Sequence, residues 1–178
     1  MLGTGVSAAT TGDLVAGLAQ RVTAFSPQVV SIMLGTNDVA TPGIGPAVFR
    51  ANLVKLVKAV RRLPGGAIPL LQTPNPIDVS RWPERSALGD YARIMREVAE
   101  ERKVVLVDHH AHWTESYGGG VPLDLLGDGL HPNQRGHLFL AHKMIRDLRL
   151  FDPRSRVCSL RTPDSADPRD GLSAPTSG

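Results

Sequence analysis

The chain has one cysteine, Cys158, in 178 residues. No disulfide can form within it, and a paired-cysteine redox motif or a cysteine-based zinc knuckle is excluded. Aromatic residues are scarce, at 4%, so a core must be assembled mainly from Leu, Val, Ile and Ala. No aromatics interleave the basic residues to make a base-stacking platform. No apolar run approaches the length that crosses a bilayer, and no membrane span is expected. Residues 1–11 lack the charged-then-apolar pattern of a secretory leader.

What is present is the composition of an ordinary globule, 42% hydrophobic and 21% charged. The length suits one domain with a real core. The formal net charge is +3, from 20 Lys and Arg against 17 Asp and Glu. Lys55, Lys58, Arg61 and Arg62 share what reads as the polar face of a helix. A solvated face is favoured there, and no nucleic-acid partner is expected.

Helical and strand patterns alternate along the chain. Leu14, Leu18, Val22 and Phe25 predict a helix over 12–24. Val29 to Leu34 is a β-branched apolar run that predicts a buried strand, ended by Gly35. A second helix is expected over 47–63, stopped by Pro64-Gly65-Gly66, and a second strand over 67–72, weakened by Pro69. A third helix falls over 86–102 and a third strand over 104–107. Loop is expected from 108 to about 131, then a last helix over 133–149. From about Asp152 the composition turns to Pro, Asp, Ser, Arg and Gly without periodicity. The division is therefore a domain over 1–150 and a disordered tail over 151–178. Strand–helix alternation implies a parallel sheet with covering helices. Ligands in such sheets bind beyond the carboxyl ends of the strands, which directs attention to loops 35–46, 73–85 and 108–131.

Two of those loops carry chemistry-bearing patterns. Asp128-Gly129-Leu130-His131-Pro132 places a carboxylate three residues before an imidazole. His131 can act as a general base toward a hydroxyl, with Asp128 fixing the ring tautomer. The alternative is a plain Asp-Gly turn ahead of a proline-started helix. Gly35-Thr36-Asn37-Asp38 follows a strand directly, and Asn37 can aim its amide at a developing oxyanion. The alternative is an asparagine serving the turn.

Together and in this order, the two patterns resemble the third and last conserved blocks of the SGNH/GDSL hydrolases. Gly5-Val6-Ser7-Ala8-Ala9-Thr10-Thr11 resembles the second block, and Phe49-Arg50-Ala51-Asn52-Leu53 the helix after the third. The resemblance runs from about Gly5 to Leu150. It implies a flavodoxin-like three-layer α/β/α parallel sheet and a serine ester hydrolase, of the esterase, lipase or carbohydrate-esterase kind, acting on a small acyl ester without metal or organic cofactor. It assigns His131 as base, Asp128 as its orienting acid, Asn37 as oxyanion donor and the Ala8 backbone N–H as another. Ala8 stands where the family uses glycine, which adopts positive φ more freely. Ser7 is expected to brace the turn.

The family's first block, Gly-Asp-Ser, has no counterpart. Gly12-Asp13, Gly89-Asp90 and Gly127-Asp128 are followed by Leu14, Tyr91 and Gly129. The resemblance therefore predicts a sheet lacking the family's first two strands and the nucleophilic serine. The strand at 29–34 would become an edge, inviting self-association, and this piece would be inactive. A binding module or pseudoenzyme on the same scaffold is the alternative. Localisation defaults to the cytoplasm, with secretion left open. Three further readings carry less. Ser7 as a substitute nucleophile needs contact with His131. Gly3-x-Gly5-x-x-Ala8 mimics a dinucleotide fingerprint but lacks the preceding strand. His109, His110 and His112, read as extended, would point to alternating faces and make an awkward metal site. Trp82, Trp113 and Tyr117 are candidate substrate contacts on the loop rim.

Overall fold

The computed structural model describes residues 2–156 and 158–160. Three strands, β1 (Val29–Met33), β2 (Ile68–Gln72) and β3 (Val105–Val107), form one parallel sheet in the order β1-β2-β3. The register pairs Val29 with Ile68 and Leu70 with Val105. Long helices make the crossovers: α3 (Pro46–Arg61) between β1 and β2, and α4 (Leu88–Arg102) between β2 and β3. This is the alternating architecture that the sequence pattern predicts, with β1 and β3 at the two edges among the described residues.

Each crossover helix is explained by its apolar stripe. In α3, Phe49, Leu53, Leu56, Val57 and Val60 are all buried, and Pro46 starts the helix where its missing N–H costs nothing. In α4, Leu88, Tyr91, Met95, Val98 and Ala99 are buried. Apart from Leu88, which packs with Ile77 and Leu130, both stripes meet Val30, Ile32 and Leu71 of the sheet in one core. Burying a side chain of this size stabilises by roughly 1.5–3 kcal/mol, so this face holds most of the fold together. Pro69 sits in the central strand without breaking it. Ile68 donates its N–H to the Gln28 carbonyl, so residues 68, 70 and 72 address β1. Pro69 thus faces the β3 side, where pairing begins only at Leu70.

The structure departs from the sequence reading at several places. The helix expected over 12–24 is broken into α1 (Thr11–Ala16), α2 (Leu18–Arg21) and a 3-10 turn (Thr23–Phe25). Gly17 sits at the first break, where its high backbone entropy weakens helix continuity. The strand expected to be buried on both faces is buried on one. Val30 and Ile32 point into the core, whereas Val29, Ser31 and Met33 are exposed. The loop expected over 108–131 contains a helix, α5 (His109–Ser116), started by Asp108, whose side chain accepts from the Ala111 N–H at 3.1 Å. The last helix, α6 (Gln134–Asp147), is capped by Asn133 rather than started by Pro132. Residues 151–156 and 158–160 continue as turns with Cys158 buried. The rest of the expected tail, Val157 and 161–178, lies outside the described residues.

Helix α5 packs on α6, and α6 in turn contacts β3. The loops that leave the carboxyl ends of β1 and β2, and the loop that follows α5, gather at one end of the sheet. That end is the place to build a site.

Candidate active site

The turn after β1 is anchored from the core. Gly35 takes φ +120°, and a Cβ there would press on the Phe49 ring at 3.4 Å, so glycine suits both the backbone and the packing. Asp38, at 0% exposure, is the hub of the turn. Its carboxylate accepts from the Thr11 N–H at 2.9 Å, the Thr11 hydroxyl at 2.5 Å and the Gly35 N–H at 3.1 Å. Asn52 of α3 donates to the same threonine hydroxyl at 3.1 Å. A buried carboxylate is tolerated when its oxygens are satisfied in this way. The network ties the start of α1, the turn and α3 into one unit. Thr10 and Asp13 add a reciprocal cap at the start of α1.

This anchoring sets Asn37 and Ala8. Asn37 is half-buried, and its side-chain amide donates to the Ala9 carbonyl at 3.3 Å. The block over residues 5–11 and the turn over 35–38 are thereby brought together. Ala8 adopts φ +60°, the left-handed conformation for which glycine is the usual residue. An L-residue there costs roughly 1–2 kcal/mol. Ser7 is exposed, and it makes no hydrogen bond with His131 among the described residues. Residues 2–6 form no strand, so the dinucleotide fingerprint lacks its required context.

The second half of the site is a tight loop. Asp128 accepts from the Leu130 N–H at 2.9 Å and the His131 N–H at 2.7 Å through one oxygen. Its other oxygen meets His131 Nδ1 at 2.7 Å. The His131 backbone bond, the imidazole contact and the Leu130 bond hold the Asp128 carboxyl far below the usual carboxylate range. With Asp128 ionised, Nδ1 is the protonated nitrogen and Nε2 is left as the basic, outward-facing one. The His131 side chain is 73% exposed, and its only hydrogen-bond partner among the described residues is Asp128. Gly129 takes φ +85°, and a Cβ there would meet Arg81 at 3.0 Å and Asp78 at 3.1 Å.

The β2 loop joins the two halves. Asn75, buried, donates to the Leu130 carbonyl at 3.2 Å. The Asp78 N–H donates to the Gly129 carbonyl at 2.7 Å. Trp82 donates its indole N–H to the Asp128 carbonyl at 3.2 Å, and the Arg85 guanidinium lies 5.0 Å over the Trp82 ring. Arg85 then donates to the Thr36 carbonyl at 3.2 Å. An unbroken strut therefore runs from the residue before Asn37 to Asp128. Below it, Val39 and Trp82 pack on Ile77, Leu88 and Leu130. The four residues singled out from sequence, Ala8, Asn37, Asp128 and His131, thus lie on segments tied to one another at one end of the sheet.

Other sequence candidates are placed elsewhere. Trp113 is fully buried, packed with Leu125 and Leu126 and edge-on to Phe139, so it is core and not a substrate contact. Trp82 is a brace of the site rather than a free rim residue. Tyr117 is partly exposed and stands edge-on to Phe139. The histidines at 109, 110 and 112 are helical, not extended. His109 is buried against Gln72 at 2.8 Å, and His112 stacks on Phe139 at 4.6 Å. Burial pushes both down to about 4, with Lys143 adding to the effect. Among the described residues no group of three potential ligands is arranged to hold a metal ion, and no helix is long and apolar enough to cross a membrane. Asn75, Arg85 and the buried hub Asp38 brace the candidate site and were not singled out from the sequence, whereas Trp82 was, as a rim contact rather than a brace. The Pro-flanked Asn75 was the one visible signal, because a rigid loop at a strand end suits a fixed donor.

Comparison with known proteins shows the family. Residues 2–138 match the GDSL-like lipase/acylhydrolase family. The acetylxylan esterase of Geobacillus stearothermophilus is 33% identical over 162 residues, covering 85% of this chain and 73% of that protein. The acetylxylan esterase of Xylanibacter ruminicola is 30% identical over 133 residues, covering 64% of this chain and 27% of that protein. The crystal structure of the Geobacillus enzyme superposes with a TM-score of 0.71 at 30% identity, again over 85% of this chain and 73% of that one. Catalytic mutants of that enzyme replace a serine, an aspartate or a histidine, the last two being three positions apart. With a parallel sheet, the three sequence blocks and these relatives in agreement, the chain belongs to the GDSL-like lipase/acylhydrolase family, the SGNH-type ester hydrolases.

Proposed function

We propose that this chain carries the acid–base and oxyanion-binding parts of an esterase for acetylated carbohydrate, and that these residues alone bind such an ester without turning it over. The observation that carries the reading is the Asp128–His131 pair, with its 2.7 Å contact at Nδ1 and Nε2 left outward. The relatives named acetylxylan esterases supply the substrate class, and the Asp-x-x-His spacing of the catalytic mutants matches positions 128 and 131 here.

In the full reaction His131 takes the proton of a serine hydroxyl as that oxygen attacks the acetyl carbonyl. Asp128 holds the imidazole in the productive tautomer and stabilises the imidazolium. Asn37 Nδ2 and the Ala8 N–H donate to the oxygen that becomes negative, a contribution of about 3 kcal/mol per donor in well-formed sites. As the ester C–O bond breaks, His131 returns the proton to the leaving sugar oxygen, which departs as a hydroxyl, and water repeats the cycle on the acyl-enzyme. The serine of the Gly-Asp-Ser block is the part that this chain does not supply. Among the described residues no hydroxyl group donates to His131 Nε2, which favours the second reading, a non-hydrolytic ester-binding module, for the chain taken by itself.

The test is to offer an acetylated xylo-oligosaccharide to the purified chain and follow both acetate release and binding. Binding without release, weakened in His131→Ala, is the expected result. Acetate release that disappears in His131→Ala would make the chain a complete hydrolase with a nucleophile of its own. Absence of both binding and release would remove the carbohydrate-ester reading.

A further inference from the structure

We propose that Tyr117, Asp124 and Arg135 form a sugar subsite beside the His131 loop, which takes a neighbouring pyranose of the acetylated oligosaccharide. The choice of sugar rests on the proposed function. The three residues come from the end of α5, the loop after it and the first turn of α6. Helix α6 contacts β3, the strand at the opposite end of the sheet from β1, so none of the three belongs to the β1 edge. Local bonding sets them next to the base. Segments 124–127 and 131–133 run side by side, joined by an antiparallel bridge between Leu126 and Pro132. The Gly127 N–H donates to the His131 carbonyl at 2.8 Å, and the Asn133 N–H to the Leu125 carbonyl at 2.9 Å. The Asn133 side chain donates to the Asp124 carbonyl at 2.8 Å. Asn133 is two residues from His131, about 7 Å along an extended chain, a separation on the scale of one sugar ring.

The surface offers the two things a pyranose needs, an aromatic ring for its C–H groups and fixed donors and acceptors for its hydroxyls. Tyr117 is 38% exposed, so part of its ring is open to a ligand. It stands edge-on to Phe139 with centroids 6.4 Å apart. Phe139 is fixed in turn by His112 stacked at 4.6 Å and Trp113 edge-on at 5.8 Å. A ring held in this way loses little freedom on binding. Gly118 and Gly119 follow with φ of +63° and +89°, and a Cβ at either would meet nothing within 4 Å. The segment after Tyr117 therefore puts no side chain in the way of a ligand. The polar groups converge on one carboxylate. Asp124 Oδ2 lies 3.5 Å from the Tyr117 hydroxyl and 3.2 Å from Arg135 Nη1. Both charged side chains are partly exposed, which leaves Asp124 Oδ1 to accept from one sugar hydroxyl and Arg135 Nη2 to donate to the next. Because the carboxylate and guanidinium neutralise each other, the surface suits an uncharged polyhydroxylated ring better than an ion.

The test titrates the intact chain with unacetylated xylotetraose, which carries no ester and so reports the subsite apart from the chemistry at His131. In nuclear magnetic resonance spectra the Tyr117 ring and the Arg135 side chain should shift together on one binding curve. Tyr117→Ala should weaken that binding about tenfold, the order of loss for a removed aromatic contact. Tyr117→Phe keeps the ring and should bind nearly as well as wild type. Asp124→Asn keeps the backbone carbonyl that Asn133 uses, and it should weaken binding without the loss of packing that Tyr117→Ala brings. Circular dichroism checks that each fold is retained. Absence of shifts at Tyr117, or binding unchanged in both Tyr117→Ala and Asp124→Asn, would overturn the subsite. So would a loss in Tyr117→Phe as large as that in Tyr117→Ala. Acetylated xylotetraose, run in parallel on wild type and His131→Ala, reads the proposed function separately. Sugar shifts at Tyr117 with no effect of the acetyl group at His131 would sink the ester reading and keep the subsite. An acetyl-dependent signal at His131 without shifts at Tyr117 would do the reverse.

Discussion

The two halves of the site are held by opposite means. The turn carrying Asn37 is fixed from beneath, by an Asp38 carboxylate with no exposure that gathers donors from Thr11 and Gly35. The loop carrying His131 is fixed from within, by an exposed Asp128 folded back on its own next residues. The first arrangement makes the turn of Asn37 inseparable from the core. The second leaves His131 on a small turn whose carboxylate serves local shape more than global stability. The proposed roles, a rigid oxyanion donor and a proton-exchanging imidazole, suit that division.

The largest expected effect separates the two carboxylates. Asp38→Ala leaves the Thr11 and Gly35 donors buried without a partner and should cost about 3 kcal/mol in urea unfolding. Asp128→Ala should leave the unfolding midpoint close to wild type while changing the tautomer of His131, read by nitrogen chemical shifts. Equal destabilisation by both would break the contrast.

The next effect concerns the buried histidines behind the site. His109 and His112 fall from an ordinary 6.5 to about 4 through burial, with Lys143 assisting. Between those values the unfolded chain binds more protons than the folded one, so stability is fully present above pH 6.5 and drains as the pH falls toward 4. The urea midpoint should drop across that window, and below it these two groups should add no further loss. A flat profile from pH 7 to 4 would place both histidines in water.

Two glycine-related changes are smaller. Gly136→Ala forces a Cβ to within 2.3 Å of the Leu125 carbonyl and 3.0 Å of Trp113. It should cost about 2 kcal/mol, since overpacked cores lose roughly 1–3 kcal/mol, and it should disturb the His131 resonances through the first turn of α6. Ala8→Gly relieves the left-handed strain and should raise stability by about 1 kcal/mol, measured by thermal unfolding. A loss on Ala8→Gly would mean that the φ of +60° is not adopted in solution.

Much of the fold was legible because its signals are local and periodic. The stripe Phe49, Leu53, Leu56, Val57 and Val60 and the run Val29 to Met33 announce a helix and a strand by spacing alone. The pair Asp128 and His131 was legible because both members lie within one turn. Helix α5 was not, since only His109 and Trp113 of its eight residues are buried and a polar helix has no apolar period to read. Asp108 was its one start signal. The Thr36–Arg85–Trp82–Asp128 strut was beyond sequence reasoning, because its members are brought together only by the tertiary fold. Ala8 was visible as an alanine in a glycine's place, but its left-handed backbone needed the structure. The open face of β1 escaped for a related reason: an apolar run does not say whether both sides are covered.

The convergence of Asn37 and His131 on one ligand is tested most directly by a nuclear magnetic resonance titration with an acetylated xylo-oligosaccharide. The side-chain amide of Asn37 and the ring of His131 are expected to shift together, with a single dissociation constant. Shifts at one without the other, or with two different constants, would contradict a common site.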